Sequence, residues 1–170
     1  MYQNEFDKSG KSIADGERAE NNFVRIFEIR FGVKPIKSTE YQNKHDHIDY
    51  FMEVKNHKAS VDVKSWKGEQ DLIPIEFITY GKLGWLYGKA DYIAFEMPDE
   101  ESFIMVKRED LVEFVKKVCI VYFTNSRFEQ LYNIYVRWKE KDGKKTYDCY
   151  TKIPRSEILK LNHWVLKTAP

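Results

Sequence analysis

His45-Asp46-His47-Ile48-Asp49-Tyr50, followed after a short turn by Val61-Asp62-Val63-Lys64-Ser65-Trp66, decides how this chain is read. His47–Val54 and Ser60–Trp66 flank a turn-like Lys55-Asn56-His57-Lys58-Ala59, which predicts a β-hairpin. Alternate residues of a strand share a face, so Asp62, Lys64 and Trp66 point one way and Val61, Val63 and Ser65 the other. The returning strand brings Asp49 beside the Asp62–Lys64 end. Two carboxylates and an ammonium then converge on one patch of sheet. Such a patch suits metal-assisted phosphodiester hydrolysis. Magnesium prefers oxygen ligands and keeps several waters. A bound metal polarises a phosphate and lowers the pKa of water, and a lysine offsets developing charge.

Upstream, a helix is expected from about Ser12–Asp15 to Phe31, stopped by Gly32. Phe23, Ile26, Phe27 and Phe31 form its apolar stripe. Glu20 falls within that stripe at about 100° per residue, so its carboxylate needs a partner. Val33–Lys37 reads as a short strand, and Ile73–Thr79, Tyr92–Glu96 and Phe103–Lys107 as three further ones. Asp110–Cys119 reads as a helix with Leu111, Phe114, Val115 and Val118 on one face. Leu131–Trp138 and Lys145–Ile153 flank Asp142-Gly143, a strong hairpin signal. Ser156–Asn162 is expected to be a small last helix with a serine cap. The order predicts an α/β fold: a mixed central β-sheet flanked by helices, with an added C-terminal β-hairpin.

At 170 residues the chain suits a single domain, with a core at about 12–120 and the hairpin and last helix at 121–170. A 15% aromatic content excludes a disordered tail. The longest apolar run, Val118–Phe123, is too short for a membrane span, so no membrane partner is expected. The N-terminus carries no signal-peptide pattern. Cys119 and Cys149 have no zinc-type spacing and read as free thiols. Together these features predict a cytoplasmic protein. The net charge of +1 excludes a grossly basic nucleic-acid coat.

Asp49, then Asp62-Val63-Lys64, resembles the PD-(D/E)XK nuclease superfamily, although Ile48 stands where the family's name has proline. Gly16-Glu17-Arg18-Ala19-Glu20 is similar to the G-x-x-A-E of the first helix in Holliday-junction resolvases. The region from His47-Ile48-Asp49-Tyr50 through Glu76-Phe77, Gly84-Trp85-Leu86-Tyr87-Gly88 and Ala90-Asp91-Tyr92 is also similar to small phage-encoded endonucleases of the superfamily. The resemblance implies a restriction-endonuclease-like core and a metal-dependent deoxyribonuclease using Mg2+, with Mn2+ as substitute. It implies Asp49 and Asp62 as metal ligands, Lys64 as the catalytic lysine and Glu20 as a residue reaching the metal. Glu76 would be a fourth carboxylate at the site, or the partner of a lysine. DNA is the implied partner, and a homodimer is compatible with the family.

Gly81, Gly84 and Gly88 surround Trp85 and Tyr87, with Lys82 and Lys89 alongside. This loop has two readings: Lys82, Trp85, Tyr87 and Lys89 contact DNA by stacking and charge, or Trp85 and Leu86 plug the core. His45 and His47 share a strand face but lack further zinc ligands, so they read as substrate-facing or structural. His57 reads as exposed. Lys139, Lys141, Lys144 and Lys145 around the Asp142-Gly143 turn read as solvated, with phosphate contact as the alternative. The rival functional reading is a catalytically silent nucleic-acid-binding or protein-interaction module on the same scaffold.

Overall fold

A computed structural model describes residues 11–65, 71–97, 100–119, 132–141 and 143–168. The first helix, α1 (Lys11–Phe31), ends as expected: Gly32 adopts φ +70° and donates its N–H to the Glu28 carbonyl at 2.8 Å. Strands β1 (Ile36–Lys37), β2 (Tyr50–Val54) and β3 (His57–Lys64) form an antiparallel meander. The hairpin turn is tighter than expected. Lys55 and Asn56 both take positive φ, and Val54 pairs directly with His57. That is the two-residue turn whose twist matches its strands. A π-helical turn, Gln42–Asp46, precedes β2, and His47 is left-handed at φ +53° rather than the start of the strand.

The chain continues through β4 (Leu72–Thr79), β5 (Lys82–Leu83), β6 (Tyr92–Met97), β7 (Ser102–Lys107), α2 (Arg108–Val118), β8 (Ile134–Lys141), β9 (Lys144–Pro154), α3 (Arg155–Ile158) and β10 (His163–Lys167). The fold is α/β with a mixed six-stranded sheet in the order β1-β2-β3-β6-β7-β10, whose one parallel pair is β3–β6. The structure corrects the expected layout in two places. Ile73–Thr79 is not in the central sheet. With β5 and the C-terminal hairpin it forms a second, four-stranded antiparallel sheet, β5-β4-β9-β8. The last helix is only Arg155–Ile158, and the chain then supplies β10, an unforeseen edge strand on β7. Leu131, Trp66 and Asp142, which the expected elements included, lie outside the described residues.

Two apolar clusters bracket the central sheet. On one face α1 buries Ala19, Phe23, Ile26 and Phe27 against Tyr50, Val61, Val63, Phe103 and Leu166. On the other, Ile93, Phe95 and Val106 meet Ile73, Ile75 and Phe77 of the second sheet, Leu111 and Val115 of α2, and Trp85 and Leu86. Apolar burial on both faces explains why β6 and β7 read as nearly continuous hydrophobic runs. No helix among the described residues is long and apolar enough to cross a membrane.

Candidate active site

Asp49 is held just ahead of β2. Its N–H donates to the Val61 carbonyl at 2.8 Å, and its own carbonyl accepts from the Ser38 N–H at 2.9 Å. Its side chain, 6% exposed, reaches across to β3, where Oδ2 accepts the Val63 N–H at 2.7 Å. Oδ1 accepts from the Asn43 amide, presented by the π-helical turn. These bonds fix the carboxylate beside Asp62, as the hairpin reading required.

Asp62 and Lys64 face the second sheet. Lys64 Nζ lies 2.7 Å from Asp62 Oδ1 and sits over the Trp85 ring, 5.0 Å from its centroid. Asp62 is 2% exposed, and its Oδ2 is buried with no hydrogen-bond partner. Burial pushes the Asp62 carboxyl up to about 8; Lys64 opposes that rise and Asp49 adds to it. Burial works against the charge on Lys64, yet Asp62 and Asp49, with Glu76 further off, outweigh it and raise its pKa. The pair therefore holds its protons tightly. Burial and the Lys64 ammonium push His47 down, which keeps its imidazole neutral beside the site.

Glu76 comes from the second sheet. Its carboxylate accepts from Thr79 Oγ1 at 3.2 Å. It lines, with Lys64, Ser65, Trp85, Phe95 and Glu96, a cavity of about 230 Å³. Glu20 stands elsewhere. It lies on the α1 side of the sheet, bound to Lys37 and to the Tyr50 hydroxyl at 3.3 Å. Its inward lean is satisfied by a lysine two strands away from Lys64, so it does not join Asp49 and Asp62 in this arrangement.

Among the described residues no three His, Cys, Asp or Glu side chains form a ready-made metal cage. The donors that do converge, Asp49 and Asp62, still fit a hard cation. Magnesium is commonly held by one or two carboxylates plus waters, and the buried Asp62 Oδ2 receives no hydrogen bond.

The loop after β5 takes the second of its two readings. Trp85 is 5% exposed and packs edge-on against Phe95 at 6.0 Å, so it is a core residue and not a base-stacking one. Tyr87 is half-buried, and Lys82 is exposed on β5. Lys89 pairs with Asp46 at 2.8 Å. His45 is exposed against Tyr41, and His57 is exposed at the hairpin turn.

Two supporting groups escaped the sequence reading. Asn43 has no signal beyond its nearness to Asp49. Glu96, 2% exposed, takes a two-pronged contact from Arg18 at 2.5 and 2.9 Å, with Asn22 at 3.4 Å. Its signal was legible: a lone carboxylate in the apolar run Tyr92–Met97, facing a helix with Arg18 and Asn22 four residues apart. No family model, no curated protein and no solved structure matches the chain.

Proposed function

We propose that the chain is a metal-dependent DNA phosphodiesterase with a restriction-endonuclease-like core, a relative of the PD-(D/E)XK nucleases. One observation carries the reading: the buried Asp62 carboxyl lies beside Asp49, with one oxygen 2.7 Å from Lys64 Nζ and the other receiving no hydrogen bond. A solvated strand face would not bury a carboxylate this way, because an unpaired buried oxygen is costly. Asp49 and Asp62 would hold magnesium or manganese. When bound, the metal would polarise the phosphate and lower the pKa of an attacking water.

The chain's own residues do the rest. Asp49 is pinned by the Val63 N–H, so its free lone pairs keep a fixed direction. Lys64 is held between the Asp62 side chain and the Trp85 face, an arrangement that keeps its ammonium aimed at one place. There it stabilises negative charge growing on the phosphate oxygens. Glu76 adds negative charge that helps keep Lys64 protonated. His47, neutral, is able to accept a proton beside the site.

The test is incubation with labelled duplex, junction, flap and single-stranded DNA in magnesium, in manganese and in chelator. Cleavage confined to the metal-containing reactions, and lost in Asp62→Asn, supports the reading. Cleavage that persists in chelator, or none with any substrate and metal, overturns it in favour of a silent binding module.

A further inference from the structure

The second sheet has an outer face, turned away from the core, that begins at Glu76. On β9, Thr151 and Ile153 are buried inward, which turns Tyr150 and Lys152 outward. Glu76 pairs with Tyr150, and Tyr150 with Tyr135 of β8. Directly paired residues point to the same side of a sheet. Glu76, Tyr150 and Tyr135 therefore form one row across three strands, at about 5 Å per strand. The two tyrosine rings stack with centroids 5.4 Å apart and planes inclined by 24°. Lys152 Nζ lies 6.0 Å from the Tyr135 centroid, and Arg137, two residues beyond Tyr135 on the same face, is exposed. Tyr135 is 43% exposed. The row starts at Glu76, which lines one cavity with Lys64, and runs outward as aromatic rings with Lys152 and the Lys139–Asp148 ion pair on the same face.

We propose that this face is a track for single-stranded DNA leading to the Asp49–Asp62–Lys64 site, an inference that rests on the nuclease reading. Its chemistry selects the occupant. The Lys152 ammonium matches a phosphate, and the exposed Tyr135 ring matches the face of a base. Duplex DNA hides those faces within its own stack, whereas a single strand offers them to aromatic side chains. What favours a nucleic acid over a protein partner is that the row leads to the cavity holding Lys64 and Glu76.

Trp138 provides an internal control. It is 68% exposed on the same strand as Tyr135 but on the opposite face of the sheet. Binding of the full chain to labelled oligothymidylate and to a duplex of equal length is measured by fluorescence anisotropy in chelator, where no cleavage intervenes. Tyr135→Ala is expected to weaken oligothymidylate binding about tenfold or more, with duplex binding changed by no more than about twofold. Tyr135→Phe, which keeps the ring, and Trp138→Ala should both bind oligothymidylate like the parent chain. The track is overturned if the parent chain does not bind the oligonucleotide, if Tyr135→Ala binds unchanged, or if Trp138→Ala loses as much. A parallel loss of duplex binding also overturns it, since that marks a charged surface and not a base-reading one. The two proposals fail separately. Ring-dependent binding without cleavage in any metal removes the nuclease and keeps the track. Metal-dependent cleavage with unchanged Tyr135→Ala binding does the reverse.

Discussion

Asp62 is the residue on which most of the proposed chemistry turns, and its environment makes a sign-definite claim about stability. In the folded chain its carboxyl holds a proton up to about pH 8, whereas an unfolded aspartate releases it near pH 4. Between those values the folded state binds more protons than the unfolded one, so stability in chelator falls as pH rises, and levels off above about 8. Asp62→Asn is expected to flatten that slope and to melt higher than the parent at pH 8. Thermal melts at pH 5, 6, 7 and 8 check it; a variant as pH-dependent as the parent removes Asp62 as the cause. Metal has the same proton to displace, so magnesium should stabilise the parent more at pH 8 than at pH 6. In the proposed reaction Lys64 acts later. Its charge matters most where phosphate charge peaks, so Lys64→Ala should lower kcat about 10²–10³-fold with little change in KM. A steady-state comparison reads this directly, and near-normal turnover would reduce Lys64 to a buried ion-pair partner.

At the scale of elements, the glycine-bounded turn after β5 couples the second sheet to the site. A Cβ on Gly84 would stand 2.6 Å from the Glu76 carbonyl oxygen and 2.9 Å from its carbonyl carbon, both backbone atoms that cannot move aside cheaply. Gly84→Ala is expected to destabilise the chain by about 1–3 kcal/mol and to slow cleavage by shifting Glu76. Gly16, inside α1 with nothing within 4 Å of its Cβ position, is the counterpart. There alanine should stabilise by about 0.5–1 kcal/mol, the helix-interior cost of glycine. Urea titration of both variants reads the contrast. The same elements show what the sequence made legible. The α1 stripe, the β2–β3 hairpin and the Asp49–Asp62–Lys64 grouping rest on local periodicity, and the fold reproduces them. The assignment of β4 to the second sheet does not. Its apolar residues Ile73, Ile75 and Phe77 bury one face, and that alternation is the same whichever sheet the strand joins. Likewise Trp85 looked equally fit for stacking or packing, because an aromatic between glycines serves both. Glu20 was legible as inward-leaning, but its partner, Lys37, sits on a two-residue strand too short to carry a pattern.

For the whole molecule, the chain passes between its two sheets four times, at β3–β4, β5–β6, β7–β8 and β9–β10. The C-terminal segment is therefore woven into both sheets, not appended to a finished core. β9 lies between β4 and β8 and buries Thr151 and Ile153. β10 closes the edge of β7 and puts Leu166, 1% exposed, into the α1 cluster. The sequence suggested a core of residues 12–120 with an added hairpin, and these burials argue otherwise. A fragment of residues 1–120 would leave β4 paired only with β5 and would open both apolar clusters to water. Such a fragment is expected to lose cooperative thermal unfolding and to bind a hydrophobic dye while keeping part of its far-ultraviolet dichroism, the behaviour of a collapsed chain without fixed packing. The proposed cleavage should vanish with it, because the candidate site joins Asp49, Asp62 and Lys64 to Glu76 of the second sheet, and among the described strands β9 is the one that pairs with β4 along its length. Differential scanning calorimetry of the fragment beside the full chain decides the point. A sharp transition, with cleavage retained, would show that the nuclease core stands alone and that the C-terminal strands serve substrate handling only.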